Sequence, residues 1–127
     1  MKPLAVHHVS VTVADLDAAV AFYTEVLGLT VRPDRPASLG GGAWLDAGGQ
    51  QVHLIVGTPP PAHGQHFALL VDDLVAAVAQ VREAGFAVSE PVAIGAAWQS
   101  FLADPSGNAI ELHGLRRNRT RPTASGL

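Results

Sequence analysis

Four side chains able to bind a transition metal recur at one interval. His8 precedes His66 by 58 residues, and His53 precedes Glu111 by 58. The surrounding residues repeat with them. The stretch His8 to Ala21 lies over His66 to Ala79, sharing the histidine, Val13 with Val71, Asp15-Leu16 with Asp73-Leu74, and an Ala-Ala-Val-Ala run. A duplicated module with one ligand near its start and one near its end can build a four-ligand site about an approximate two-fold axis. Three imidazoles and one carboxylate suit one divalent transition ion (Zn²⁺, Ni²⁺, Co²⁺, Fe²⁺ or Mn²⁺) and disfavour Ca²⁺ and Mg²⁺. The chain has no cysteine, which excludes thiolate ligands and disulfides alike.

The elements that must position these groups follow from periodicity. Residues 6–13 alternate, with Val9, Val11 and Val13 on one side and His8, Ser10 and Thr12 on the other, as a half-buried strand does. Asp15 is the expected N-cap of a helix running to about Leu27, with Leu16, Ala19, Val20, Tyr23 and Leu27 as its apolar stripe and Gly28 as its stop. An extended segment from Leu29, a Pro/Gly loop over 33–42 and a hairpin of 43–47 with 51–56 complete the order βαβββ, Gly48-Gly49 supplying the turn. The second copy reads the same way. A strand covers 66–71, a helix runs from about Asp73 to Ala84 with Gly85 as stop, 86–92 is extended, and 98–104 with 108–113 form the closing hairpin. Asp46 and Asp104, and Gly49 and Gly107, also stand 58 apart and read as turn formers.

The predicted fold is therefore α+β: two βαβββ modules forming a curved mixed-sheet cup with helices on the outer face. One domain spans 1–114, made of modules at about 4–57 and 66–114, and 115–127 is a basic tail expected to be flexible. Alternation places His8, His53, His66 and Glu111 on the face opposite the helix-covered core. Taken singly, each histidine is an ordinary solvated side chain and Glu111 an ordinary surface carboxylate. One offset and one facing rule shared by all four make them a ligand set, because a shared cation removes the cost of enclosing such groups. His7 faces away from His8 and His63 lies in the connector, so both read as incidental. His113 shares the face of Glu111 one rung on, as an outer partner or a pocket residue, and Ser10, Trp44 and Phe101 are further candidates to line the pocket.

Composition narrows the function classes. The chain of 127 residues is 48% hydrophobic and 15% charged, which describes a globular protein with a real core. Four of its eight basic residues (Arg116, Arg117, Arg119 and Arg121) sit in the tail, leaving eleven acids against four bases in the body. That balance argues against a nucleic-acid surface. No apolar run approaches the roughly 20 residues of a membrane span, and no signal-peptide pattern opens the chain, so the expectation is a cytoplasmic protein without membrane contact.

Two stretches carry a resemblance. His8-Val-Ser-Val-Thr-Val-Ala-Asp-Leu16 with Phe22-Tyr-Thr-Glu-Val-Leu-Gly-Leu29, and Phe101-Leu-Ala-Asp-Pro-Ser-Gly-Asn-Ala-Ile-Glu-Leu-His113, resemble the vicinal oxygen chelate superfamily over about residues 4–114. That superfamily includes glyoxalase I, methylmalonyl-CoA epimerase, fosfomycin-resistance thiol transferases, extradiol dioxygenases and bleomycin-binding proteins. The resemblance implies a metal in the cleft and a homodimer whose modules pair within or across chains. His8, His66 and Glu111 match the most widely shared ligand positions, whereas His53 stands where glyoxalases and the epimerase carry Glu or Gln. Four ligands on an octahedral ion leave two positions, enough for two vicinal oxygens of a small substrate. The implied function is a glyoxalase/epimerase-like lyase or isomerase working through a metal-stabilised enediolate, with Glu111 as the first candidate base. With His53 in the place of a second carboxylate, a one-base isomerisation or a lyase step fits better than two-base epimerisation.

Other members leave alternatives open. A dioxygenase needs three open positions, one of which a ligating His53 would occupy. The loop from Pro91 to Trp98 lacks the Lys- and Ser-rich character that serves a phosphonate, which disfavours a thiol transferase. The principal alternative is a non-enzyme, a metal-free antibiotic- or small-molecule-binding protein of the bleomycin-resistance type. Such a protein would use Trp44, Trp98 and Phe101 to line an aromatic cleft.

Overall fold

A computed structural model of the chain describes residues 1–115. The Arg-rich segment read as a tail lies outside the described residues except for Leu115, which closes a strand. The chain divides into two compact units. The first holds Met1–Gly64 and the turn Asp104–Asn108; the second holds Gln65–Ala103 and the strand that begins at Ala109. Each contains one mixed four-stranded sheet.

In the first unit β1 (His8–Val13) pairs in parallel with β4 (Gln50–Val56), which forms a hairpin with β3 (Gly42–Ala47), and β2 (Thr30–Val31) edges β3. Between β1 and β2, α1 spans Leu16–Ala21, capped by Asp15, which accepts a hydrogen bond from the Ala18 N–H at 3.0 Å. The chain then opens into one wide π-turn over Phe22–Val26, closed by Leu27 N–H to Phe22 O at 3.2 Å. The sequence reading carried a regular helix on to Leu27. Phe22 and Tyr23, at the start of the wider turn, are both buried in the core. They pack with Val11, Val13, Leu45, Val52 and Leu54, the core-facing residues of the strands.

A buried polar centre completes that core. Asp104 is 4% exposed, and its carboxylate accepts from the Tyr23 hydroxyl at 2.8 Å, the Ser106 N–H at 2.8 Å, the Asn108 N–H at 2.9 Å and Asn108 Nδ2 at 2.9 Å. Asn108 Nδ2 also donates to Thr12 O at 2.9 Å, and Ser106 Oγ accepts from the Ala14 N–H at 2.9 Å. The turn Asp104–Asn108 is thus fastened to the end of β1. Read from sequence only as a turn former, Asp104 is also the polar anchor of the first unit.

The second unit repeats the order. β5 (Phe67–Leu70) pairs in parallel with β8 (Ala109–Leu115), β8 with β7 (Ala97–Ala103), and β7 with β6 (Val92–Ile94). α2 covers Leu74–Glu83, with Asp73 accepting from the Ala76 N–H at 3.0 Å. It stops at Gly85 (φ +92°), where the Phe86 N–H closes back on Val81 O at 3.2 Å. Leu74, Val78 and Val81 pack with Leu102, Ile110 and Leu112 as the core. The architecture is the α+β arrangement of two βαβββ modules that the repeat predicts. The segment before Val92 is mostly loop, with a single bridge from Val88 to Leu102, so the sixth strand starts later than the sequence suggested.

Gly42 shows how tightly the β3–β4 hairpin is built. A Cβ there would lie 2.5 Å from the Leu54 carbonyl oxygen and 2.5 Å from Arg35 Nη2. The arginine tip can move, but the strand backbone cannot move without breaking the ladder. Gly42→Ala should therefore cost about 1–3 kcal/mol, read as a lower urea midpoint; an unchanged midpoint would show that the hairpin relaxes freely.

Candidate functional site

Strand pairing, parallel for β1–β4 and antiparallel for β4–β3 and β3–β2, puts residues in register, so the face of the first sheet opposite its core can be read rung by rung. One rung is Ser10, His53 and Trp44; the next is His8, Gln51, Asp46 and Thr30. His53 lies between two rings, stacked on His8 at 3.9 Å (13° between planes) and on Trp44 at 4.8 Å (15°). Its Nε2 meets Gln51 Oε1 at 2.8 Å; an amide oxygen only accepts, so Nε2 carries the proton and Nδ1 the lone pair. Partial burial, followed by the positive potential of His8, His7, Arg35 and Arg32, lowers the His53 pKa. The ring is held neutral, the form a metal ligand needs.

His7 departs from the sequence reading. Its carbonyl accepts from the Gln51 N–H at 3.2 Å, yet its ring turns to the adjacent His8, Nδ1 to Nδ1 at 2.9 Å. Arg32 reaches this face too, tied to Asp34 at 2.8 Å and Asp46 at 2.8 Å. Its hydrogen bonds to Asp34 and then Asp46 raise its pKa, and Arg32 in turn lowers that of Asp34. Both carboxylates being engaged, this arginine is neutralised in place.

The second sheet presents Ala68, Glu111 and Phe101 on one rung, with Leu70, His113, Gln99 and Val92 on the next. His66 lies immediately before β5. Its Nε2 is 3.1 Å from Glu111 Oε1, and His113 Nδ1 is 2.9 Å from Glu111 Oε2. The His66 ring meets Phe101 edge-on at 5.2 Å. Glu111 is 8% exposed, while Leu70, Val92, Ile94, Phe101 and Leu115 all expose apolar surface on this same face. Trp98 does not join Phe101: three residues away on one strand, it lies on the side of Ser100 and Leu102.

Each unit therefore brings together one pair of the predicted ligands, His8 with His53 and His66 with Glu111. Among the described residues, no three His, Asp or Glu groups form a metal-holding arrangement. The two pairs differ in how well they suit an ion. The 3.1 Å between His66 Nε2 and Glu111 Oε1 is near the edge of about 3.0 Å between adjacent ligands on an octahedral ion with bonds of about 2.1 Å. His8 and His53, stacked face to face, aim their nitrogens side by side rather than at one point, so their rings must turn to share an ion. Sequence reasoning overlooked Gln51 and the Arg32 pairs and set His7 aside as incidental. The signal for Gln51 was present, since it stands two residues before His53 on an alternating strand.

Two βαβββ units, each gathering imidazoles on the open face of a mixed sheet, define a paired-module α+β protein. The sequence model of the Glyoxalase/Bleomycin resistance protein/Dioxygenase superfamily matches residues 5–112, and the chain belongs to that superfamily. It is 32% identical over 119 residues to the Arabidopsis thaliana protein named "Probable lactoylglutathione lyase, chloroplastic", a match covering 83% of this chain and 34% of that one. The chain thus spans about a third of the length of that relative. A solved glyoxalase-family structure from Bacillus anthracis is similar at a TM-score of 0.83 and 27% identity, covering 91% of this chain and 98% of the other. TnmS3, an antibiotic-binding protein from a Streptomyces species, is similar at a TM-score of 0.78 and 29% identity, with the same coverage of 91% and 98%. No helix among the described residues is long and apolar enough to cross a membrane.

Proposed function

We propose that the protein is a divalent-metal-dependent lyase or isomerase of the glyoxalase/epimerase type, acting on a small substrate with vicinal oxygens. His8, His53, His66 and Glu111 would hold the ion. The observation that carries this reading is the His66–Glu111 pair, whose 3.1 Å contact suits two adjacent ligands and whose carboxylate is buried. A bound ion of this kind supplies Lewis-acid polarisation of a substrate oxygen. The chain's own contribution would be to keep His53 neutral and to offer Glu111 as the candidate base once an oxygen leaves the ion or the His113 hydrogen bond. The name of the chloroplast relative supports a lyase, and the substrate is proposed only as a class. A second copy of the chain is the proposed protein partner.

A second reading is favoured by the aromatic and apolar groups on these faces. Trp44 covers His53, and Leu70, Val92, Ile94, Phe101 and Leu115 would suit an apolar ligand held without chemistry, as the likeness to an antibiotic-binding protein suggests. Metal analysis separates the two. Protein purified gently with divalent ions present should retain about one ion per pair of modules, and His53→Ala should lose most of it. Wild type free of metal would move sequestration to first place. Undiminished metal in His53→Ala would leave a three-ligand site with room for dioxygenase or transferase chemistry.

A further inference from the structure

Resting on the metal-binding reading above, we propose that His113 is a positioning residue that holds the far oxygen of Glu111 and so presents the near oxygen beside His66. A glutamate carboxylate turns about a broad, roughly two-fold terminal torsion and does not by itself choose which oxygen faces a neighbour. Across the sheet Glu111 is flanked by Ala68 and Phe101, whose side chains offer no donor. His113 removes that freedom: its Nδ1 lies 2.9 Å from Oε2, while Oε1 lies 3.1 Å from His66 Nε2. A carboxylate only accepts, so Nδ1 of His113 carries the proton.

The two histidines reach Glu111 by different routes. His113 is two residues along the same strand, on the same face by alternation, so the pitch of β8 sets its place. His66 arrives from the segment before β5. By the same rule His66 Nε2 donates to Oε1, so that proton must leave Nε2 before an ion could be held between Nε2 and Oε1. His113 stays on the other oxygen, where a hydrogen-bond donor steadies the ligand and raises the precision of the pair. His113 is not a third ligand in this arrangement, because its nitrogen addresses the oxygen turned away from His66.

The test uses full-length protein stripped of metal and titrated with Co²⁺, followed by its visible d–d bands. His113→Ala should weaken Co²⁺ binding about 10- to 100-fold, the usual effect of losing an outer partner, with the band positions unchanged. His113→Asn, whose amide nitrogen can stand near the place of Nδ1, should recover affinity to within about threefold of wild type. Unchanged affinity in His113→Ala overturns the assignment. So does a shifted spectrum that Asn fails to restore, which would make His113 a ligand. A second arm needs no metal: imidazole ¹H–¹⁵N spectra of metal-free wild type should show His113 as the Nδ1–H tautomer, reverting to Nε2–H in Glu111→Ala. Wild type that binds no Co²⁺ removes the metal reading, and the tautomer alone then decides whether His113 holds Glu111. Nε2–H in wild type overturns the assignment.

Discussion

Glu111→Ala protein is expected to purify without metal and to bind Co²⁺ or Zn²⁺ at least about 100-fold more weakly than wild type, since even an outer partner of a ligand is worth about 10- to 100-fold. Three features make this the largest expected effect at the site. Glu111 is the one anion in the proposed set, so its loss removes the charge that offsets the cation. It is also the best buried of the site residues, at 8% exposed, so water replaces it poorly. Finally, it joins two imidazoles, and without it His66 and His113 lose a shared acceptor at 3.1 and 2.9 Å. Isothermal titration with circular dichroism as a folding check reads the result. Folded Glu111→Ala protein that still binds metal within a few-fold of wild type would remove Glu111 from the ligand set, and with it the observation on which the proposed activity stands.

The second large effect concerns stability. Asp104→Ala should cost about 3–5 kcal/mol, because hydrogen bonds to a charged group contribute about 1.5–3 kcal/mol each, though not additively. The substitution deprives the buried Tyr23 hydroxyl and the Asn108 amide of their acceptor and frees the turn they hold. With a urea slope of about 2 kcal/mol per molar, the midpoint falls by about 2 M. Tyr23→Phe removes only one donor and should cost about 1.5–3 kcal/mol. A midpoint for Asp104→Ala close to that of wild type would mean that the turn is held by other contacts.

Tyr23 also gives this centre a pH signature. Burial first, and then the charge and hydrogen bond of Asp104, raise its phenol pKa far above the ordinary value. The folded state keeps this proton, whereas the unfolded chain releases it above pH ~10, so the unfolded state binds fewer protons there. The contribution is present in full below that pH and is lost as pH rises beyond it, at up to about 1.4 kcal/mol per unit. Tyr23 is the single tyrosine of the chain, so the phenolate absorbance reports on it alone. The band should stay absent from folded protein near pH 11 and appear on unfolding, and the alkaline loss should vanish in Tyr23→Phe. A phenolate titrating near pH 10 in folded protein would contradict this account.

Much of the fold was legible because its signals are local. Strand alternation assigned Val11, Val13, Val52, Leu54, Ile110 and Leu112 to cores, and all are buried. Asp15 and Asp73 cap their helices because short carboxylates just before an apolar run can reach the free N–H groups of a first turn. Gly85 ends α2 because the chain there needs a positive φ. What local pattern missed was set by long-range packing. The wide turn at Phe22 answers to the core it fills, the His7 ring turns to meet the His8 ring, and Trp98 parts from Phe101 by strand parity.

At the candidate site the same division holds. The sequence by itself determined the 58-residue repeat, the paired βαβββ order and the face on which His8, His53, Glu111 and His113 lie, because a two-residue period follows from backbone geometry alone. Only the tertiary structure decided which atoms meet: His53 between His8 and Trp44, His66 and His113 on opposite oxygens of Glu111, and Asp104 under the Tyr23 hydroxyl. Those contacts depend on strand register and on side chains that come together across 45 residues for His66 and Glu111 and 81 for Tyr23 and Asp104. No periodicity within one segment encodes such a meeting, because it is fixed only when the sheets pair and the cores close.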